Sequence, residues 1–283
     1  MKLQGIFIDA TSPFDHAGEL YRIKIEHNIG KWNQTSVAGY VVGGFTGEGA
    51  LLAAEEKREL WKLAAASAGP EKTLIAGIHA AGVREAAAMV NQAAELGYAA
   101  ALVEPPLGDE LMSRAGTQIV YFRSLADRAN IPVLISNRAG MDSATVETLS
   151  RHPNICGVVE HSGDVSGIPR LGGFAVLWGV ASSVWSALQS GASGAVLAFA
   201  NAAPYATIAL WEAFRTREEE AGLDWQSRIT PPAELVSARF GVPGLKHAMD
   251  INGYYGGPPR LPLTTPNPAE KREIQAAFAD LKS

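Results

Sequence analysis

Ile155-Cys156-Gly157-Val158-Val159-Glu160-His161-Ser162-Gly163-Asp164 passes from apolar to polar within one short stretch. Asn154 bounds it on one side and a Ser-Gly-Asp turn on the other, the pattern of a buried parallel strand that opens into a polar loop. Val159 and His161 stand two apart, so in an extended chain their side chains share a face. If the strand belongs to a barrel, its end opens into the site.

Runs of the same character recur on both sides of it: Gly5 to Ile8, Gly39 to Val42, Thr73 to Gly77, Ala99 to Val103, Val133 to Ile135, Ala175 to Trp178 and Gly194 to Leu197. Amphipathic helical segments lie between them, such as Ala54 to Ala66 and Val83 to Leu96. Gly97, Gly172 and Gly191 follow helical pieces, where a C-terminal cap favours a residue that tolerates positive φ. Strands too apolar to face water, alternating with helices, predict an α/β protein of the closed (β/α)8 TIM-barrel type. An open doubly wound sheet is the competitor, but Ile8-Asp9-Ala10-Thr11-Ser12-Pro13-Phe14 lacks the glycine-rich phosphate loop such a sheet carries after its first strand. After Pro204 the pattern turns helical, over Tyr205 to Thr216, Pro232 to Arg239, Leu245 to Gly253 and Ala269 to Leu281. The organisation read from this is a barrel over 1–220 and a helical extension over 221–283 in the same structural unit.

Composition narrows the function classes. The formal net charge of −5, with no dense Lys/Arg block, leaves no electrostatic footprint for nucleic acid or an anionic membrane. Leu171 to Trp211 contains no Asp, Glu, Lys, Arg or His, yet repeated Gly and Ser and Pro204 divide it into pieces too short for a span. Cys156 is the single cysteine, so no internal disulfide forms, and it reads as a small buried hydrophobe. With Asp9 interrupting the apolar N-terminus, no export signal is read there, and a cytoplasmic location is expected.

Gly44-Phe45-Thr46-Gly47-Glu48, Thr11-Ser12-Pro13-Phe14, Gly191-Ala192-Ser193-Gly194-Ala195 and the segment from Gly241 to Asp250, continued by Gly253 to Pro258, resemble the dihydrodipicolinate synthase and N-acetylneuraminate lyase group of pyruvate-type aldolases. The C-terminal segment, with His152-Pro153-Asn154-Ile155 and Ser162-Gly163-Asp164-Val165, is most similar to the 4-hydroxy-2-oxoglutarate aldolase branch. The resemblance implies a lyase barrel, a small 2-oxo acid as partner, no cofactor, and a homodimer or homotetramer. It also implies a strand-six lysine that condenses with the substrate carbonyl, a step that needs an unprotonated amine. Val159 occupies that position. Ser136 aligns with the family's proton-relaying tyrosine near the end of strand five, the loop that follows is about three residues short by the family pattern, and Leu107 aligns with a second tyrosine. Lys24, Lys31, Lys57, Lys62, Lys72 and Lys246 all read as lying away from the pocket.

Class I Schiff-base chemistry is therefore expected to be absent. Thr46 and Gly47 can cradle a carboxylate with a hydroxyl and backbone N–H groups, although a βα-loop keeps such a turn for geometry alone. Glu48 reads as bracing the helix that follows, and Asp9 and Trp178 as structural or pocket-lining. His79, Glu104, Arg138 and His161 follow strands three to six, at the end where barrel enzymes build their sites. Imidazole with carboxylate suits acid–base work or a metal, but no spacing motif marks a metal and none is assigned. The catalytic candidates are thus His161, Glu104 and Ser136; the substrate-binding candidates are Thr46, Gly47, Arg138 and His79. Three readings compete: an imine-free enzyme acting on a 2-oxo or hydroxy acid, a binding or regulatory protein that kept the cradle, and an ordinary Schiff-base lyase with its lysine elsewhere.

Overall fold

Alternation of small and β-branched residues places one apolar set inside a ring of strands and the other under the helices. In the computed structural model, which describes residues 3–106, 110–162, 165–168 and 173–281, the strands are β1 (Gly5–Ala10), β2 (Gly39–Val42), β3 (Thr73–Ile78), β4 (Ala100–Val103), β5 (Val133–Asn137), β6 (Ile155–Glu160), β7 (Ala175–Trp178) and β8 (Gly194–Leu197). They pair in sequence order, all parallel, and β8 returns to β1 to close the barrel. The chain is a (β/α)8 barrel.

The helices are α1 (Arg22–Asn33), α2 (Ala54–Ser67), α3 (Val83–Glu95), α4 (Glu110–Ser113), α5 (Ala115–Ala126), α6 (Ser143–Ser150), α7 (Val184–Gln189), α8 (Pro204–Thr216), α9 (Glu219–Glu234), α10 (Gly241–Ile251) and α11 (Pro268–Ala277). The proline at residue 232 was expected to open a helix. Instead Pro231 and Pro232 lie inside α9, and residues 235–239 continue it as a π-helical turn. Proline removes a donor and displaces the carbonyl four residues earlier, and a widened turn follows here. Gly97 and Gly191 have φ of +84° and +98°, as C-terminal caps require; Gly172 lies outside the described residues. Among those residues no helix is long and apolar enough to cross a membrane.

The core has two parts. Phe7, Val41, Ile75, Leu102, Leu134, Val159, Leu177 and Val196, one from each strand, pack together inside the barrel. Their neighbours in sequence, among them Ile6, Ile8, Val42, Ala76, Val103 and Val158, face the helices. This period of two sends Asp9 and Ser136, each two residues beyond an interior hydrophobe, toward the C-terminal mouth. The helical extension crosses back over the first strand and first helix. Thr11 Oγ1 donates to Met249 Sδ, Asn28 pairs with the Tyr255 backbone, and Arg260 binds Glu56 through two hydrogen bonds of 2.7 Å.

Candidate functional site

The mouth is built from strand ends. β4 ends at Val103, so Glu104 begins the loop; β5 delivers Ser136 and, just past its end, Arg138. Ser136 Oγ donates to Glu104 Oε1 at 2.8 Å, and Arg138 Nε lies 3.8 Å from the same oxygen. Arg138 Nη2 is 3.9 Å from Asp9 Oδ2, while its guanidinium stacks on Phe45, 4.2 Å from the ring centroid. One cation is shared by two carboxylates and an aromatic face.

Burial moves both carboxyls upward. Loss of hydration pushes Glu104 up to about 7, against the lowering pull of the Ser136 hydrogen bond and Arg138, with Asp9 adding a further upward push. Asp9, 3% exposed, is also raised by burial, opposed by Arg138 and Thr46. At neutral pH Glu104 populates both protonation states, the condition for moving a proton either way. Burial lowers His79 to about 4, with Lys57 adding to the effect, so the ring is neutral; its Nε2 is buried and has no hydrogen-bond partner among the described residues.

His79, Glu104 and Arg138 line one cavity of about 410 Å³ together with Phe45, Glu48, Ala50, Leu51, Pro105, Ala139, Val242, Pro262 and Leu263. Its roof therefore comes from the helical extension, a contribution that strand-end reasoning missed. The size is within the range of small-molecule sites. His161 lies elsewhere: its ring rests against Gly179 and borders a second cavity of about 420 Å³ with Trp178, Val180 and Ser183. Burial, with Arg138 next in effect, lowers it to about 3. His79 and Glu104 thus line one cavity and His161 another, with the Arg138 charge acting on all three. Among the described residues no three His, Cys, Asp or Glu side chains form a set that could hold a metal ion.

Thr46 is committed within the chain. Its hydroxyl donates to Asp9 Oδ2 at 2.5 Å and its N–H to the same oxygen at 3.4 Å. Gly47 sits close beneath, where a Cβ would meet Ala10 O at 2.9 Å, and Ser12 Oγ donates to its carbonyl at 2.6 Å. Asp9 was read as structural or pocket-lining; its inward parity with Phe7 was the signal that it reaches this turn. Glu48, read as a brace for the next helix, instead pairs with Lys246 at 2.5 Å and accepts from Arg260 N at 2.7 Å.

Val159 is fully buried in the barrel interior and presents only hydrocarbon. No lysine is among the residues lining the cavity. Lys246 Nζ donates to Ser12 O and Pro258 O, Lys72 Nζ to Thr35 O and Val37 O, and Lys31 Nζ to Gly253 O. Lys57 acts on His79 from α2, through its field alone. Leu107 lies outside the described residues.

Comparison with known proteins agrees with this architecture. The chain is 30% identical to the 4-hydroxy-tetrahydrodipicolinate synthase of an Exiguobacterium species over 97% of its length and 96% of the relative's. It is 27% identical, over 98% of itself and 94% of the relative, to an Emericella nidulans protein named "Probable 4-hydroxy-2-oxoglutarate aldolase, mitochondrial". The crystal structure of a dihydrodipicolinate synthase from Bacillus anthracis superposes with a TM-score of 0.94 over 100% of both chains, at 22% identity, which is a likeness of fold. The sequence model of the Dihydrodipicolinate synthetase family matches residues 2–281. With the barrel, its helical roof and the full-length match in agreement, the chain belongs to the dihydrodipicolinate synthetase family of aldolases and lyases.

Proposed function

We propose that this protein binds a small 2-oxo or hydroxy acid in the cavity lined by His79, Glu104 and Arg138 and acts on it without forming an imine. The carrying observation is Glu104, a carboxyl raised to about 7 that accepts from Ser136 and lies 3.8 Å from the Arg138 guanidinium. Arg138 takes the ligand's carboxylate, since a guanidinium fork matches its two oxygens. Glu104 then stands beside the carbonyl or hydroxyl as the general acid or base, with Ser136 orienting it. Neutral His79 forms part of the wall against which the same ligand rests. Thr46 acts through Asp9, Gly47 holds the turn against Ala10 and Ser12, and His161 acts from its own cavity within the field of Arg138. Val159, where the resembling family has its lysine, leaves no amine to attack a carbonyl. The same reading makes the protein a cytoplasmic homodimer or homotetramer that uses no cofactor.

Thermal melts with a panel of 2-oxo and hydroxy acids test the binding, because a ligand of the folded state raises its stability. Arg138→Met is expected to abolish the shift. Borohydride treatment with pyruvate, followed by intact-mass measurement, is expected to leave the protein mass unchanged; a stable covalent adduct overturns the imine-free reading. The competing reading is a binding or regulatory protein without turnover. Assay of each acid that binds separates the two.

A further inference from the structure

Within the Thr46 turn, a hydroxyl and a backbone N–H converge on one carboxylate oxygen, and a guanidinium stands 3.9 Å behind it. These are the groups an anion site offers a ligand. Here the carboxylate they hold is Asp9, carried in on β1. Its Oδ1 has no hydrogen-bond partner among the described residues and lies so close to Gly44 that a Cβ there would stand 2.7 Å away. The side chain fills the turn as a bound acid would, at the high effective concentration of a tethered group. An external carboxylate has to expel it, leaving a buried charge without its donors, or bind elsewhere.

We propose that Asp9 is a resident carboxylate in the Thr46 turn and a specificity determinant: it shuts that turn to ligand acids and leaves Arg138 as the anchoring point. An acid held on Arg138 extends its remainder along Leu51, Pro105, Val242, Pro262 and Leu263, so the pocket selects acids with an apolar tail over the three-carbon acid alone. The orientation of the ligand rests on the acid-binding role proposed above; the filling of the turn does not.

Asp9→Ala opens a carboxylate-sized hole beside Thr46. Its melting temperature is expected to rise saturably with formate, by roughly 5 °C at about a hundredfold excess over Kd beyond any rise that formate on Arg138 gives the wild type, with no effect of chloride at equal ionic strength. Equal response of the wild type, or none in a folded variant, overturns the proposal. Should the variant not fold, the amide resonance of Thr46 in isotope-labelled Arg138→Met protein, which lacks the neighbouring anchor, serves instead. It is expected to stay in place as formate or pyruvate is added; a saturable shift overturns the proposal. Failure of the acid-binding role looks different: no 2-oxo acid of any length moves the Arg138 side-chain resonances of the wild type, whatever Thr46 does.

Discussion

Glu104 and Lys246 show how burial sets the behaviour of single residues. Glu104 is raised to about 7, so below that pH it is neutral and can donate a hydrogen bond, and above it adds a negative charge beside Arg138. Binding of an anionic acid should therefore weaken, on the order of tenfold, between pH 6 and 8. Glu104→Gln should flatten the profile, as titration calorimetry at several pH values would show. Lys246 is fully buried, with Glu48 as counter-ion and two carbonyls as acceptors, and burial lowers it while Glu48 opposes the shift. Removing one partner of such a pair strands the other. Lys246→Met is expected to cost about 3–5 kcal/mol in urea unfolding, and Lys246→Met with Glu48→Gln to recover much of it.

At the level of elements, contacts between strands decide which substitutions are tolerated. A Cβ at Gly77, on β3, would lie 2.2 Å from the backbone nitrogen of Gly44 in the turn that follows β2, and neither backbone can give way without disturbing the Thr46 turn or the pairing of Gly77 with Leu102. Gly77→Ala should destabilise by more than about 4 kcal/mol or prevent folding. Gly179, after β7, makes an equally close approach, but to the ring of His161 at 2.1 Å. That ring can rotate away, so Gly179→Ala should fold with a modest loss of stability and a His161 imidazole displaced toward the second cavity. Urea titration of the pair, with the histidine resonances of the second variant, checks the contrast. The prolines of α9 teach a related lesson, since they are accommodated by a π turn that no residue pattern announces.

For the whole molecule, the extension is tied to the barrel at several remote points. Asn252 Nδ2 donates to Ala202 O, Tyr255 Oη to Phe14 O, and Lys246 Nζ to Ser12 O. Val242, Pro262 and Leu263 also roof the cavity. The barrel over 1–220 and the extension over 221–283 should accordingly unfold in one cooperative transition. A chain ending at residue 240 should fail to give a folded barrel, because Phe14 and the interior around Met249 lose their cover. Coincident circular dichroism and fluorescence transitions of the full chain, and insolubility of the shortened one, are the expected results.

The strand runs were legible to within a residue or two, because interior burial on both faces leaves an unbroken apolar signature and the barrel admits few other arrangements. The inward, buried place of Val159 was legible from the same pattern. Which polar groups meet was decided only by closure of the barrel. It set Asp9 of β1 against Thr46 after β2, brought Glu104 and Ser136 together from adjacent strands, and laid the His161 ring on Gly179. Periodicity tells a residue which face it occupies, but the distance between side chains on different strands depends on strand register, tilt and the loops between, which no local pattern carries.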